Sequence, residues 1–152
     1  MDEILVGVIM GSRSDEEVMQ KACTVLDEME VGYEMVVSSA HRNPERTAQY
    51  AREAAGRGLR VMVAGAGLAA ALPGVLAAHT TLPVIGVPIA SGALRGVDAL
   101  YAIVQMPPGI PVATVGIDNA RNGALLAVEI LALSDGRIRE KLTAYRRKMA
   151  EG

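Results

Sequence analysis

The sequence predicts a three-layer α/β fold in which a parallel five-stranded sheet carries helices on both faces. Strand and helix signals alternate along the 152 residues without a linker, a low-complexity tract or an internal repeat. Residues 61–94 contain no Asp, Glu, Lys or Arg, as expected of parallel strands that are buried on both faces. The chain of 152 residues is long enough to bury an ordinary hydrophobic core, and 51% of its residues are hydrophobic. We therefore assign residues 1–152 to one compact domain.

The first strand is predicted over Glu3–Met10, and the first helix from Ser14-Asp15-Glu16-Glu17, which has the Ser-x-x-Glu form of a capping box. Apolar residues then recur at helical spacing until Gly32. The same signals predict the remaining elements: strands at Tyr33–Ser38, Leu59–Ala64, Pro83–Val87 and Val112–Ile117, and helices at Pro44–Arg57, Leu68–His79, Leu94–Val104, Asn122–Leu133 and Asp135–Ala150.

Helices between consecutive strands require right-handed crossovers, which place the strands parallel in one sheet. We predict the strand order 2-1-3-4-5 of flavodoxin-like (Rossmann-type) folds, with a C-terminal helix. In such sheets ligands bind beyond the carboxyl ends of the strands, where the strand order reverses. The loops after the first three strands are therefore the candidate functional region.

Composition excludes several classes of protein. The formal charge is −2 and the aromatic residues are four Tyr, so the stacking platforms and positive groove of a nucleic-acid binder are missing. Three prolines and five glycines interrupt residues 61–94, which argues against a membrane span. The lone Cys23, interpreted as a core residue, and the acidic start Met1-Asp2-Glu3 favour the cytoplasm. His41 and His79 lack neighbouring ligand residues, so we predict no metal site.

The loop after the first strand, Gly11-Ser12-Arg13-Ser14-Asp15, leads directly into a helix. Backbone amides and the positive end of the helix dipole favour a phosphate there. The single glycine does not make the dinucleotide motif G-x-G-x-x-G. One interpretation is a mononucleotide site with Ser12 on the phosphate and Asp15 on ribose hydroxyls, and the other is simply a capped helix.

The loop after the second strand, Ser38-Ser39-Ala40-His41-Arg42-Asn43-Pro44, is the most informative. An imidazole titrates near pH ~6.5 and can exchange protons with a bound substrate. Arg42 offers a planar fork for a phosphate. A histidine is often only a structural hydrogen-bonding group, but the position of His41 beside Arg and Ser at a strand's carboxyl end favours a functional role.

The loop after the third strand, Gly65–Gly74, consists almost entirely of small apolar residues. These allow the backbone to approach a flat ring closely, although tight packing of helix on sheet explains them equally well. The loop has neither the acid of a phosphoacceptor nor the aromatic residues that would enclose a flavin. Further on, Ser91-Gly92 is interpreted as a contact at the rim of the site or between subunits.

Taken in order, several motifs strongly resemble the PurE family of purine biosynthesis over nearly the whole chain: Gly11–Asp15, Ser39–Arg42, Ala64–Gly67, Leu72–Gly74, Pro83–Pro88 and Ile103–Pro107. The resemblance implies a homo-octamer that acts on aminoimidazole ribonucleotides and CO2 without a metal or organic cofactor. The bacterial type moves a carboxylate from the exocyclic nitrogen of 5-(carboxyamino)imidazole ribonucleotide to ring carbon 4. The animal type carboxylates aminoimidazole ribonucleotide directly.

The family's roles fall on matching residues. Ser12, Asp15 and Arg42 would hold ribose and phosphate, Ser39 would lie beside the base, and His41 would transfer the proton. The remaining residues of the implied substrate site are Gly11, Ala66, Gly67, Ala71 and Leu72.

Ala71 departs from the mutase pattern, which has histidine before Leu-Pro-Gly. His79 cannot replace it, because eight residues of helix rise about 12 Å. Leu68 is similar to the residue in archaeal members. Three functions therefore stay open: a mutase (isomerase), a direct carboxylase (lyase), and a nucleotide-binding paralogue without turnover.

Overall fold

The computed structural model describes residues 3–152, so the acidic start at Met1-Asp2 lies outside the described residues. Five strands alternate with helices, and a 3-10 turn at Arg13–Asp15 precedes the first helix. The strands are β1 (Val6–Met10), β2 (Tyr33–Val37), β3 (Val61–Gly67), β4 (Val84–Ile89) and β5 (Ala113–Thr114). The helices are α1 (Glu16–Glu28), α2 (Pro44–Ala54), α3 (Leu72–Ala78), α4 (Val97–Val104), α5 (Ala120–Ala132) and α6 (Gly136–Glu151).

The strands form a parallel sheet of order β2-β1-β3-β4-β5, which confirms the predicted flavodoxin-like topology. β1 pairs with both β2 and β3, so Met10 lies beside Val37 on one side and Gly65 on the other. The strand order reverses at β1. The carboxyl ends of the first three strands are consequently adjacent at one edge of the sheet.

Apolar side chains cover both faces of the sheet. On one face Val8 of β1 belongs to a buried cluster with residues of α1 and α5, and Cys23 is part of that cluster as predicted. On the other face Ile9 packs in a cluster with residues of α2, α3 and α4. Successive residues of a strand point to opposite faces, so a strand covered on both sides must be apolar throughout. This explains the long stretch without charged residues.

Two glycines of the sheet allow close packing against it. A Cβ at Gly86 would overlap Cγ2 of Ile103 on α4, and a Cβ at Gly65 would overlap the sulfur of Met19 on α1. Neither position has a positive φ. Both glycines are therefore required for space rather than for backbone conformation.

The predicted helix at Leu68–His79 is wrong in its first turn. β3 continues to Gly67, where it pairs with Ile89, and α3 begins only at Leu72. Leu68 and Ala70 have φ values of 54° and 35°, which an α-helix does not contain. Pro73 has no backbone N–H and fits the first turn of a helix, so α3 starts beside it in spite of the helical preference of the preceding Leu-Ala run.

The predicted capping box is also wrong. Ser14 lies within the 3-10 turn, and the side chain that caps this turn is that of Ser12, which accepts a hydrogen bond from the Ser14 amide. In the described part of the chain, α1 starts at Glu16 without a side-chain capping bond from Asp15. The serines of this loop thus bond to each other and not to the helix.

The other boundaries differ by a few residues. β1 begins at Val6 rather than Glu3, and β5 is only Ala113–Thr114 within the predicted Val112–Ile117. α4 begins at Val97, because Gly96 has a φ of 93° and ends the preceding turn. Among residues 3–152, no helix combines the length and the apolar character needed to cross a bilayer.

Candidate active site

A cavity of about 320 Å³ opens at the carboxyl ends of β1–β4. Its volume is within the range of small-molecule binding sites. Four loops line it, one after each of these strands: Gly11, Ser12, Ser14 and Asp15; Ser39, Ala40, His41 and Arg42; Ala66, Gly67, Leu68, Ala69, Ala70, Ala71 and Leu72; and Ser91.

The cavity contains every site residue that the sequence suggested. These are Gly11, Ser12, Asp15, Ser39, His41, Arg42, Ala66, Gly67, Ala71 and Leu72. The topology brings them together, because each lies at or shortly after the carboxyl end of a strand, and these ends are at the same edge of the sheet. Their individual roles stay predictions. Ser91 also lines the cavity, whereas Ser14 and Leu68 are lining residues to which the sequence assigned no contact.

The first loop presents hydroxyl groups to the cavity. Ser12 is in an extended conformation, and its Oγ lies 3.0 Å from Oγ of Ser14. The loop closes through a hydrogen bond of 3.1 Å from the Asp15 amide to the Ser12 carbonyl. A Cβ at Gly11 would meet no atom within 4 Å, since this residue borders open space. The start of α1 follows directly and adds the positive end of its dipole.

Asp15 is the carboxylate of the cavity. Burial of Asp15 raises its pKa above the ordinary aspartate value, and a hydrogen bond from the backbone of Ser12 opposes this shift only in part. Desolvation penalises the charged form of a carboxyl group. A ligand that donates hydrogen bonds to Asp15, as a sugar hydroxyl does, would compensate for this cost.

The second loop carries His41 and Arg42, the two basic side chains that line the cavity in the described part of the chain. The backbone turns tightly there, because Ser39 Oγ accepts a hydrogen bond from the Arg42 amide at 3.1 Å and the Ser39 carbonyl accepts one from the Asn43 amide at 2.8 Å. His41 and Arg42 are exposed. Within residues 3–152, neither side chain forms a hydrogen bond or an ion pair with the protein. Both are therefore available to a ligand.

The third loop forms an apolar wall. Gly67 is close-packed, because a Cβ there would lie 3.1 Å from the carbonyl oxygen of Ile89 and 3.2 Å from Cβ of Ser91. Ala71 precedes α3 at its N-cap position and has no side chain that could cap the helix. The small residues permit close packing against β4, which supports the packing interpretation, and they also line the cavity, where the close approach of a flat ring stays a prediction.

The two kinds of wall indicate the kind of ligand. Hydroxyl groups, a guanidinium and a helix N-terminus suit a phosphorylated sugar, and the apolar wall suits a flat ring. Among the described residues, no group of three or more His, Cys, Asp and Glu side chains could hold a metal ion. The fold and the cavity together define a flavodoxin-like protein with a candidate small-molecule site at its switch point.

Comparison with known proteins gives the family. The sequence profile of the AIR carboxylase family matches residues 5–152, nearly the whole chain. The chain therefore belongs to the AIR carboxylase (PurE) family, as its motifs indicated.

Three similar proteins illustrate the range of the family. N5-carboxyaminoimidazole ribonucleotide mutase of Pyrococcus abyssi is 64% identical over 144 residues, which are 95% of this chain and 83% of that protein. Phosphoribosylaminoimidazole carboxylase of Schizosaccharomyces pombe is 59% identical over 128 residues, 84% of this chain but only 23% of that protein. The crystal structure of Treponema denticola PurE has a TM-score of 0.88 at 30% identity and covers 98% of this chain and 93% of its own.

Proposed function

We propose that this protein converts 5-(carboxyamino)imidazole ribonucleotide to 4-carboxy-5-aminoimidazole ribonucleotide in purine biosynthesis, which makes it an isomerase. The observation that supports this most directly is the meeting of His41 and Arg42 with Ser12 and Asp15 in one cavity. The 64% identity to a protein named as the mutase supports the same assignment.

Binding of the ribonucleotide uses the polar wall. Arg42 and the hydroxyl of Ser12 hold the phosphate, together with amides at the start of α1. Asp15 accepts hydrogen bonds from the ribose hydroxyls, and Ser39 lies beside the base. The imidazole ring of the substrate rests against the small residues of the third loop.

The reaction divides into two halves that share one proton-transfer group. In the first half the bond between the exocyclic nitrogen and the carboxylate carbon breaks, its electron pair stays on nitrogen, and His41 as the acid supplies a proton there. In the second half carbon 4 attacks the released CO2 and forms the new carbon–carbon bond. His41 as the base then removes the proton from carbon 4 and restores aromaticity. Holding CO2 beside its acceptor supplies a proximity advantage.

Ala71 limits the choice of proton carrier. It places a methyl group where the family resemblance implies an imidazole in mutase-type members, and among the described residues His41 is the one histidine that lines the cavity. The mechanism above therefore assigns both transfers to the same side chain. A second candidate function is the direct carboxylation of aminoimidazole ribonucleotide, favoured by the 59% identity to the S. pombe carboxylase.

The assembly and location follow from the family resemblance. We place the protein in the cytoplasm as a homo-octamer that binds the ribonucleotide and CO2, without nucleic acid or membrane as a partner. The buried free thiol of Cys23 is compatible with a reducing compartment.

The test supplies the purified protein with each ribonucleotide, with and without bicarbonate. Conversion of the carboxyamino compound without added bicarbonate supports the mutase, and dependence on dissolved CO2 with the other substrate supports the carboxylase. Binding without product from either substrate identifies a paralogue without turnover and contradicts both activities.

His41→Asn is expected to abolish turnover and to retain ribonucleotide binding, because asparagine is polar but does not exchange a proton near neutral pH. Initial rates and calorimetric titration with the ribonucleotide measure the two properties. His79→Gln, outside the cavity, is the control and keeps full activity. Unchanged turnover in His41→Asn would remove this imidazole from the mechanism.

A further inference from the structure

Two hydroxyl side chains are buried beneath the loop that carries His41. Ser38 directly follows β2 and Thr47 lies in the first turn of α2, and they are 2% and 0% exposed. Ser38 Oγ and Thr47 Oγ1 are 2.7 Å apart, and Thr47 Oγ1 also donates to the Ser39 carbonyl at 3.2 Å. A buried hydroxyl without a hydrogen-bond partner lowers the stability of the folded state, and these hydrogen bonds compensate for that desolvation cost.

The direction of these hydrogen bonds follows from counting protons. A hydroxyl group has a single proton to donate. A carbonyl can only accept, so both contacts of Thr47 Oγ1 are hydrogen bonds at the same time when Thr47 donates to the Ser39 carbonyl and Ser38 donates to Thr47. The result is an ordered chain from the Ser38 hydroxyl through the Thr47 hydroxyl to the Ser39 carbonyl.

This chain ties the loop to the scaffold at two places. The Ser38 amide donates to the Met10 carbonyl of β1 at 2.9 Å, which fixes the loop to the sheet. Thr47 fixes the peptide group between Ser39 and Ala40 to α2. The Ser39 carbonyl receives a second hydrogen bond from the Asn43 amide, so both of its lone pairs are used.

The side chain of His41 lacks such support. It is exposed, and within residues 3–152 it has no hydrogen-bond partner, so its position depends on the backbone that carries it. We propose that Thr47 is a positioning residue for the reaction, which acts by holding the Ser39 carbonyl and thereby the turn that presents Ser39 and His41 to the substrate. This inference rests on the proposed function, in which His41 transfers the proton.

Stability and positioning can be separated by substitution. Valine has nearly the shape of threonine, and replacing both members of a buried polar pair by apolar groups is close to neutral for stability. Thr47→Val leaves the Ser38 hydroxyl without its acceptor and is expected to lower the unfolding midpoint. Adding Ser38→Ala to Thr47→Val removes that hydroxyl and is expected to recover much of the loss. Neither variant retains the bond to Ser39.

The experiment compares Thr47→Val, Thr47→Ser and the double variant Ser38→Ala/Thr47→Val with the wild type, in the folded state established by circular dichroism. Misplacing a catalytic group by about 1 Å can cost on the order of 100-fold in rate, and a partial displacement on the order of tenfold. We expect kcat to decrease on the order of tenfold in both valine-containing variants, with little change in KM. Thr47→Ser, which keeps the hydroxyl, restores kcat.

A second readout does not depend on turnover. Only His41 and His79 contribute histidine signals in an NMR spectrum, and His79→Gln assigns them. The double variant is expected to shift the His41 signal and to leave that of His79 in place. A stable double variant with wild-type kcat and an unchanged His41 signal overturns the proposal. Absence of turnover in the wild type contradicts the proposed function instead, and the NMR comparison still tests the positioning.

Discussion

At the scale of residues, the cavity combines side chains that a ligand can use with side chains that hold those in place. His41 and Arg42 belong to the first kind, and Thr47 belongs to the second. The side chains that a ligand can use were predictable from the sequence, because polar residues directly after a buried strand stand out. The hydrogen bond between Ser38 and Thr47 was not predictable, because it depends on how α2 packs against the end of β2.

Asp15 has a predictable effect on stability. Its pKa is raised in the folded protein, so the folded state binds more protons than the unfolded state, and stability decreases as the pH rises above about 4, the ordinary pKa of an aspartate. Asp15→Asn is therefore expected to be more stable than the wild type at neutral pH. The two proteins are expected to converge as the pH falls below that value.

Urea unfolding between acid and neutral pH measures this difference. Asp135→Asn is a suitable control, since Asp135 caps α6 by accepting hydrogen bonds from the Arg137 and Ile138 amides and asparagine caps a helix about equally well. A wild type that gains stability over Asp15→Asn with rising pH would show that Asp15 is not penalised by burial. Greater stability and weaker ribonucleotide binding in Asp15→Asn would illustrate how a site can be maintained at a cost to stability.

At the scale of elements, the sequence predicted which strands and helices exist and in what order better than it predicted where each begins and ends. All five strands and six helices are present, because alternating apolar patterns and proline or glycine positions define them. The predicted start of α3 was wrong, since a Leu-Ala run favours a helix locally, whereas Pro73 fits only the first turn of a helix and α3 begins at Leu72. Leu68 has a positive φ and lies on the wall of the cavity.

Gly86→Ala tests the close approach of α4 to the sheet. The added methyl group would overlap Ile103 and lie 3.3 Å from Cβ of Pro73, both in a packed core. Overpacking of this kind costs about 1–3 kcal/mol. Chemical denaturation measures the loss, and Gly56→Ala is the control, because its nearest neighbour would be a carbonyl oxygen at 3.6 Å. An equally stable Gly86→Ala would mean that α4 moves away without cost.

At the scale of the whole molecule, one apolar stripe remains exposed. Leu94, Val97, Tyr101 and Val104 follow each other at intervals of three or four residues along α4 and the turn before it. Tyr101 is 62% exposed in the single chain. A stripe of large apolar side chains is typical of a surface that contacts another protein, and we assign it to a second copy within the proposed octamer.

Tyr101→Glu is expected to shift the assembly toward smaller species, because it places a charge in an apolar contact. Light scattering coupled to gel filtration gives the mass of each species. Gln20→Glu, an exposed position on α1, adds the same charge elsewhere and is expected to leave the mass unchanged. An intact octamer in Tyr101→Glu would place the contact on another surface.

The brevity of β5 affects how copies of this chain can meet. With two residues, β5 leaves few backbone N–H and C=O groups free at that margin of the sheet. A neighbouring strand would find almost no ladder to join there, which disfavours strand addition at this edge of the sheet. Growth of the assembly at that margin must then depend on side chains, which single substitutions can adjust.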